Sequence, residues 1–122
     1  VKRKNIAKRY DHESKGLKNC NILHEGLRNN SSNHLYILKI NFKRLGISRA
    51  KLMKLFKEKE IGTQVHYIPV TSHPYFKKKG YNKNKLPNSY AYYENALSIP
   101  LYYDLTDRQQ SHVINQVKKL IG

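Results

Sequence analysis

Between Gly62 and Tyr81 the chain cannot hold one regular element, and the rest must be arranged around that break. Gly62 closes whatever precedes it, and Val65, His66, Tyr67 and Ile68 are β-branched or aromatic types that suit a pleated surface, so the stretch begins as a strand. Pro69 and Pro74 each remove a backbone donor and bias the preceding residue towards extended geometry. The chain must leave the sheet and run on as a loop through His73, Tyr75, Phe76 and the lysines 77–79 to Gly80. An irregular segment rich in hydrogen-bonding and stacking groups, launched from a rigid strand, is a common place for binding residues. The strand period adds a detail: with Val65 on the core face, Gln64 and His66 look outward or into a cleft, while Tyr67, close to Pro69, escapes the alternation.

The remaining segments read as the scaffold for that stretch. Tyr36, Leu38, Ile40 and Phe42 recur with period two against Lys39 and Asn41, and Leu35 and Ile37 on the second face predict cover on both sides there. Ser48 caps a helix through Glu60 whose inner face holds Leu52, Leu55, Phe56 and Lys59, with Gly62 as its stop. Thr106 and Gln109 form a capping box ahead of Val113, Ile114, Val117, Leu120 and Ile121, with Lys118 and Lys119 near the helix end where the dipole favours cations. Ile6, Ala7, Tyr10 and Leu17 give the first segment, from Val1 to about Lys18, a narrow helical stripe. Cys20 to Asn33 is a polar connector with at most a short extended piece at Ile22 and Leu23. Asn88 caps a short helix with Tyr90, Tyr93 and Leu97 at helical intervals, and Ala96 to Leu101 forms a strand that Pro100 ends or confines to an edge. Together these predict an α+β fold, a small antiparallel sheet of about three strands packed with helices, in one domain over residues 1–122.

With 122 residues the chain can bury a core without cross-links, and its single cysteine, Cys20, makes no internal bridge. No apolar run approaches a membrane span or a signal segment, so the reading is a soluble, cytoplasmic protein without a membrane partner. The net charge of +16 raises the prospect of a nucleic-acid partner. The excess is chiefly lysine, accompanied by many Asn, Ile and Tyr, a set that adenine- and thymine-rich codons supply, and the charge is spread along the whole length. A solvated surface therefore ranks ahead of nucleic acid. A small basic module holding nucleic acid through phosphate contacts and tyrosine stacking is the rival reading, and a structural fragment with no retained function a third. The chain also opens at Val1 inside a helical pattern, which reads as a fragment.

Few kinds of chemistry are open to these residues alone. His66 and His73 lie apart with six residues between them, and no cysteine or carboxylate beside them completes a tetrahedral metal set. Cys20 has no orienting partner that would make it a nucleophile. Phosphate-cradling glycine loops are missing, and no two carboxylates stand in a context that tunes one as acid and the other as base. The chain thus reads as contributing binding groups, with no catalytic residue, no metal ligand and no cofactor-binding residue of its own.

Several separated motifs, in order, resemble one family. His34-Leu35-Tyr36 opening a strand, Gly62-Thr63-Gln64-Val65-His66-Tyr67-Ile68-Pro69, His73-Pro74-Tyr75, Gly80-Tyr81 and Leu97-Ser98-Ile99-Pro100-Leu101-Tyr102 before Leu105-Thr106 are similar to the C-terminal domain of DegT-type sugar-nucleotide aminotransferases. Arg3 through Tyr10 also resembles the helix leading into that domain. The resemblance implies the C-terminal small domain of a fold-type I aminotransferase, preceded in the intact enzyme by a large domain that carries the cofactor-binding lysine and phosphate site. The run from Gln64 to Val70 looks most like the branch acting in pseudaminic acid biosynthesis. Pyridoxal phosphate, glutamate as amino donor, a UDP-linked 4-keto-6-deoxy sugar aminated at C4, and a homodimer are what that likeness implies. It further implies a fragment that binds no cofactor and is inactive by itself, its role being to close over the substrate. Carried over residue by residue, it makes His66 and Tyr67 candidates for contact with the sugar or diphosphate, and adds His73 and Tyr75. Tyr103 departs from the pattern, since many relatives have proline after the tyrosine corresponding to Tyr102. The surface facing the large domain is expected to include an apolar patch and to favour self-association.

Overall fold

Period two and a favourable cross-strand register build the centre of the molecule. The computed structural model describes every residue except His24, and every side chain except those of His24, Glu25 and Leu27. Strands β1 (Cys20–Ile22), β2 (Tyr36–Ile40) and β3 (Ala96–Ile99) form an antiparallel sheet in that order, with β2 in the middle. Tyr36, Leu38 and Ile40 are buried, Ile37 is half-buried and Lys39 is exposed. Leu38 pairs with Ile22 on one side and Leu97 on the other, so apolar side chains meet across both ladders.

Helices α1 (Lys2–Ser14), α3 (Arg49–Glu58) and α6 (Asp107–Ile121) close a single core with the sheet. Ile6, Ala7 and Tyr10 enter it from α1, Leu52 and Phe56 from α3, and Val113, Ile114, Val117 and Ile121 from α6. The α6 start forms as its residues predict: the Gln109 amide donates to Thr106 Oγ1 at 3.2 Å and the Thr106 amide donates to Gln109 Oε1 at 3.0 Å. Such a cap stabilises a helix by about 1 kcal/mol. Ser48 likewise caps α3 by accepting from the Lys51 amide. The α+β arrangement implied by the sequence is the one observed.

A buried polar knot joins α1 to the sheet. The Arg28 guanidinium donates to both oxygens of Asp11, at 2.9 Å from Nη2 to Oδ1 and 3.0 Å from Nε to Oδ2, and Nη2 also reaches the Leu23 carbonyl at 2.8 Å. The Tyr36 hydroxyl donates to Asp11 Oδ1 at 2.9 Å, and the guanidinium stacks 4.7 Å from the Tyr36 ring centre. Burial, reinforced by the Asp11 carboxylate, raises the Tyr36 pKa well above the usual phenol range. Cys20 is buried, and burial pushes its thiol pKa up to about 11, which suppresses the reactive thiolate.

Several expectations change. The Cys20–Asn33 connector contains β1, which starts two residues before Ile22 and ends before Leu23, because its partner β2 and not its own hydrophobicity sets its limits. Residues Glu25–Asn30 form a 3-10 turn. Phe42 leaves the strand: Asn41 Oδ1 accepts from the Arg44 amide at 2.9 Å and opens a short helix, α2 (Phe42–Leu45). Helix α3 stops ahead of Gly62, since Glu60 takes φ +59° and the Ile61 amide returns to the Phe56 carbonyl. Lys59 is exposed rather than on the inner face.

The stretch after Pro69 is also more ordered than a loop. Val70–Ser72 form a 3-10 turn and Pro74–Lys78 form α4, with Pro74 in the first turn, where a missing amide costs nothing. Gly80 (φ +83°) supplies the left-handed conformation that follows this helix. Helix α5 (Pro87–Asn95) likewise starts on a proline, which places Asn88 inside it instead of at its cap. Pairing of β3 ends at Ile99, as Pro100 requires. Among the described residues no helix is long and apolar enough to cross a membrane.

Candidate functional site

The site is organised by the outer edge of β3. Gln64 and Ser98 exchange both backbone hydrogen bonds, at 3.1 and 2.8 Å, as an isolated antiparallel bridge. Hydrogen-bonded pairs alternate along such a ladder, so His66 with Ala96 would be next. Both backbone groups of Ala96 are already engaged on that side: its amide donates to the Tyr92 carbonyl at the end of α5, and its carbonyl accepts from Arg49 Nη1 at 3.4 Å. The strand expected over Val65–Ile68 therefore does not form. Val65 is half-buried and lies outside the core, contrary to the core face its alternation predicts. The His66–Tyr67 peptide is cis.

His66 is held on several sides. Its Nδ1 lies 2.7 Å from the Ser98 hydroxyl, and its carbonyl accepts from the Tyr92 hydroxyl at 2.9 Å. Partial burial raises the Tyr92 pKa, which keeps that hydroxyl protonated as a donor. The neighbouring Tyr67 ring meets the imidazole edge-on, with ring centres 4.6 Å apart. Tyr90 adds a tie between α5 and the 3-10 turn, since the Ser72 hydroxyl donates to Tyr90 Oη at 3.2 Å. The helix tyrosines thus brace the segment that the sequence marks as a binding loop.

A cleft of 930 Å³ opens beside this bridge. His66 and Gln64 line it together, in agreement with the prediction that both turn away from the core. Ser98, Tyr102, Arg108, His112 and His34 line it as well. Sequence reasoning missed these. A signal was present for three of them: Ser98 is a polar residue inside the apolar run Leu97–Ile99, and Arg108 and His112 stand four apart on one helix, hence on one face. The His112 Nε2–H donates to the Lys59 carbonyl at 2.9 Å and joins α6 to the end of α3. Arg108 brings a permanent positive charge and a planar set of donors to the rim, suited to a carboxylate or phosphoryl group.

The four residues singled out from the sequence are divided by the structure. His66 faces the large cleft. Tyr67, 70% exposed, lines a different cleft of 550 Å³ with Val70, Leu86 and Tyr92. His73 is the cap residue of α4: its carbonyl accepts from the Lys77 amide at 3.1 Å, and its side chain makes no capping bond. Tyr75 is 64% exposed on α4, against Phe76 and beneath the Lys79 ammonium, which lies 5.7 Å from its ring centre. His73 and Tyr75 line neither cleft. Large exposed apolar side chains gather in this part of the chain, with Tyr67, Ile68, Val70, Tyr75, Tyr81 and Leu86 all at the surface.

A cofactor held through a lysine has no attachment point in the large cleft, since no lysine lines it among the described residues. Its donors and acceptors suit a polar ligand with oxygen atoms. No group of three His, Cys, Asp or Glu side chains that would hold a metal is found among the described residues.

Comparison with known proteins accounts for nearly the whole chain. The model of the DegT/DnrJ/EryC1/StrS aminotransferase family matches residues 1–118. An uncharacterized protein of Methanocaldococcus jannaschii is 37% identical over 99% of this chain and 32% of its own length. The spore coat polysaccharide biosynthesis protein SpsC of Bacillus subtilis is 39% identical over 72% of this chain and 23% of its own. Among solved structures, a candidate sugar aminotransferase of Streptococcus pneumoniae in its PLP form is 29% identical with a TM-score of 0.80, covering 98% of this chain and 30% of that one. PseC of Helicobacter pylori, an aminotransferase involved in pseudaminic acid biosynthesis, shares the fold with a TM-score of 0.88 at 24% identity, over 98% of this chain and 32% of its own. The chain spans about a third or less of the length of these proteins.

Proposed function

The chain belongs to the DegT/DnrJ/EryC1/StrS aminotransferase family, and from that premise we propose that it is the substrate-closing C-terminal domain of a pyridoxal-phosphate-dependent sugar-nucleotide aminotransferase. The intact enzyme transfers the amino group of glutamate to C4 of a UDP-linked 4-keto-6-deoxy sugar, works as a homodimer, and serves the synthesis of a surface glycan of the pseudaminic acid type. The observation that carries this reading is His66, braced at its ring by Ser98 and at its carbonyl by Tyr92, lining a 930 Å³ cleft that Arg108 also lines. The glycan names of SpsC and PseC and the PLP form of the Streptococcus protein support it in kind.

Pyridoxal phosphate supplies the electron sink for amino transfer when bound, and in this reading the preceding domain holds it. The residues described here bind and orient. In the large cleft His66 and Arg108 offer donors to oxygen atoms of the sugar nucleotide and Gln64 offers an amide, while Tyr67 offers a flat apolar face in the neighbouring cleft. Closing this surface over the substrate excludes water and strengthens those contacts.

The test uses the full-length polypeptide that contains this chain. His66→Ala is expected to lower kcat/KM for the nucleotide sugar about 10- to 100-fold, the effect of one hydrogen-bond donor and its packing, with the visible absorbance of the bound cofactor retained. Loss of that absorbance in the variant would place His66 with the cofactor and overturn its assignment to the substrate.

A further inference from the structure

Ser98 is 5% exposed in a strand whose four residues are all buried. Its hydroxyl has one hydrogen to give, and among the described residues its only partner is His66 Nδ1, at 2.7 Å. A buried donor without an acceptor is costly, so the assignment that satisfies the site has the Ser98 hydroxyl donating to Nδ1. A neutral imidazole that accepts on one nitrogen carries its hydrogen on the other. The reverse assignment, Nδ1–H donating to Ser98, leaves the serine hydrogen without a protein acceptor among the described residues.

We infer that Ser98 is a positioning residue that holds His66 as the Nε2–H tautomer, so that His66 presents a hydrogen-bond donor, and not an acceptor, to an oxygen atom of the ligand in the cleft. Nε2 has no protein partner among the described residues, which leaves it to the ligand. The backbone supports the same arrangement, because the Gln64–Ser98 bridge fixes one side of His66 and the Tyr92 hydroxyl fixes its carbonyl. With the main chain held twice, the remaining freedom is the ring torsion and the tautomer, and the Ser98 hydroxyl sets both. The ligand class follows: a phosphoryl or sugar oxygen that accepts. That identity of the ligand rests on the function proposed above, whereas the tautomer rests on the Ser98 contact alone.

The test is long-range proton–nitrogen NMR of the chain labelled with nitrogen-15 at histidine, at a pH where His66 is neutral, with its signals assigned by their loss in His66→Gln. The expected spectrum shows Nε2 protonated and Nδ1 bare. Ser98→Ala should let both tautomers populate, and Ser98→Thr, which keeps the hydroxyl on a residue suited to a strand, should restore the single pattern. A protonated Nδ1 in the native chain would overturn the inference, as would an unchanged pattern in Ser98→Ala. Should Ser98→Ala fail to fold, the native and Ser98→Thr spectra decide the matter. Addition of UDP and of UDP-N-acetylglucosamine to the full-length polypeptide that contains this chain, labelled in the same way, then separates the two claims. A shift of the Nε2–H signal with UDP alone assigns the acceptor to the nucleoside diphosphate, and a shift only with the sugar nucleotide assigns it to the sugar. No shift with either would overturn the proposed substrate contact and the ligand class, while leaving the tautomer standing.

Discussion

Tyr10 and Tyr36 lie in the core with ring centres 4.8 Å apart, whereas Tyr67 and Tyr75 expose 70% and 64% of their surface. Both buried rings also satisfy their hydroxyls over long sequence separations, Tyr10 to the Pro100 carbonyl at 2.9 Å and Tyr36 to Asp11. The two exposed rings make edge contacts with the residue next to them, His66 and Phe76. One residue type thus serves two purposes, set by where the partners stand. In the first region a tyrosine is a structural bolt between α1, β2 and the end of β3, and in the second it is an apolar face held out for something else. Stability should concentrate in the first region and ligand response in the second.

The sharpest way to break that division is at the polar knot. Arg28→Met leaves the Asp11 carboxylate buried without its ion pair, and the expected loss is about 3–5 kcal/mol of folding stability, read as a large fall in the urea midpoint. An unchanged midpoint would show that the knot is not the anchor. Adding Asp11→Leu to Arg28→Met should recover part of the loss, because the uncompensated charge is then gone while the buried Tyr36 hydroxyl is left without its acceptor. A smaller effect is expected at Tyr36→Phe, which deletes one hydrogen bond to a carboxylate and keeps the ring, at about 2 kcal/mol. The same measurement checks it. At the exposed end, Tyr67→Ala and Tyr75→Ala should change stability by no more than about 0.5 kcal/mol. A loss comparable to that of Tyr36→Phe would mean the exposed segment belongs to the folding core after all.

Much of the scaffold was legible along the chain because its signals are local. The capping box at Thr106 and Gln109 and the stripe from Val113 to Ile121 lie within a few turns of one helix, and the alternation in β2 lies within five residues. Elements whose existence depends on a distant partner were harder to read. β1 is short and polar and is a strand because β2 pairs with it, while residues 65–68 have strand-like side chains and form no strand because Ala96 is already engaged. Helix α4 carried a local signal in Pro74 and Gly80, which also suits a turn, and the balance there was set by hydrogen bonds along 73–81. Of the candidate site, His66 and Gln64 were legible as cleft-facing. The separation of Tyr67 from His66 into two clefts was not, nor was the exposed position of His73 and Tyr75.

The residues by themselves determined the α+β composition, the caps of α3 and α6, the inward face of α6 and the central strand, because each depends on neighbours within a few positions. Only the tertiary structure decided that Ser98, 32 residues away, grips the ring of His66, that Arg28 and Asp11 meet inside, and that one cleft takes His66 while another takes Tyr67. These outcomes turn on strand order and on which buried donor finds which acceptor, and neither is set by any window of the sequence shorter than the fold.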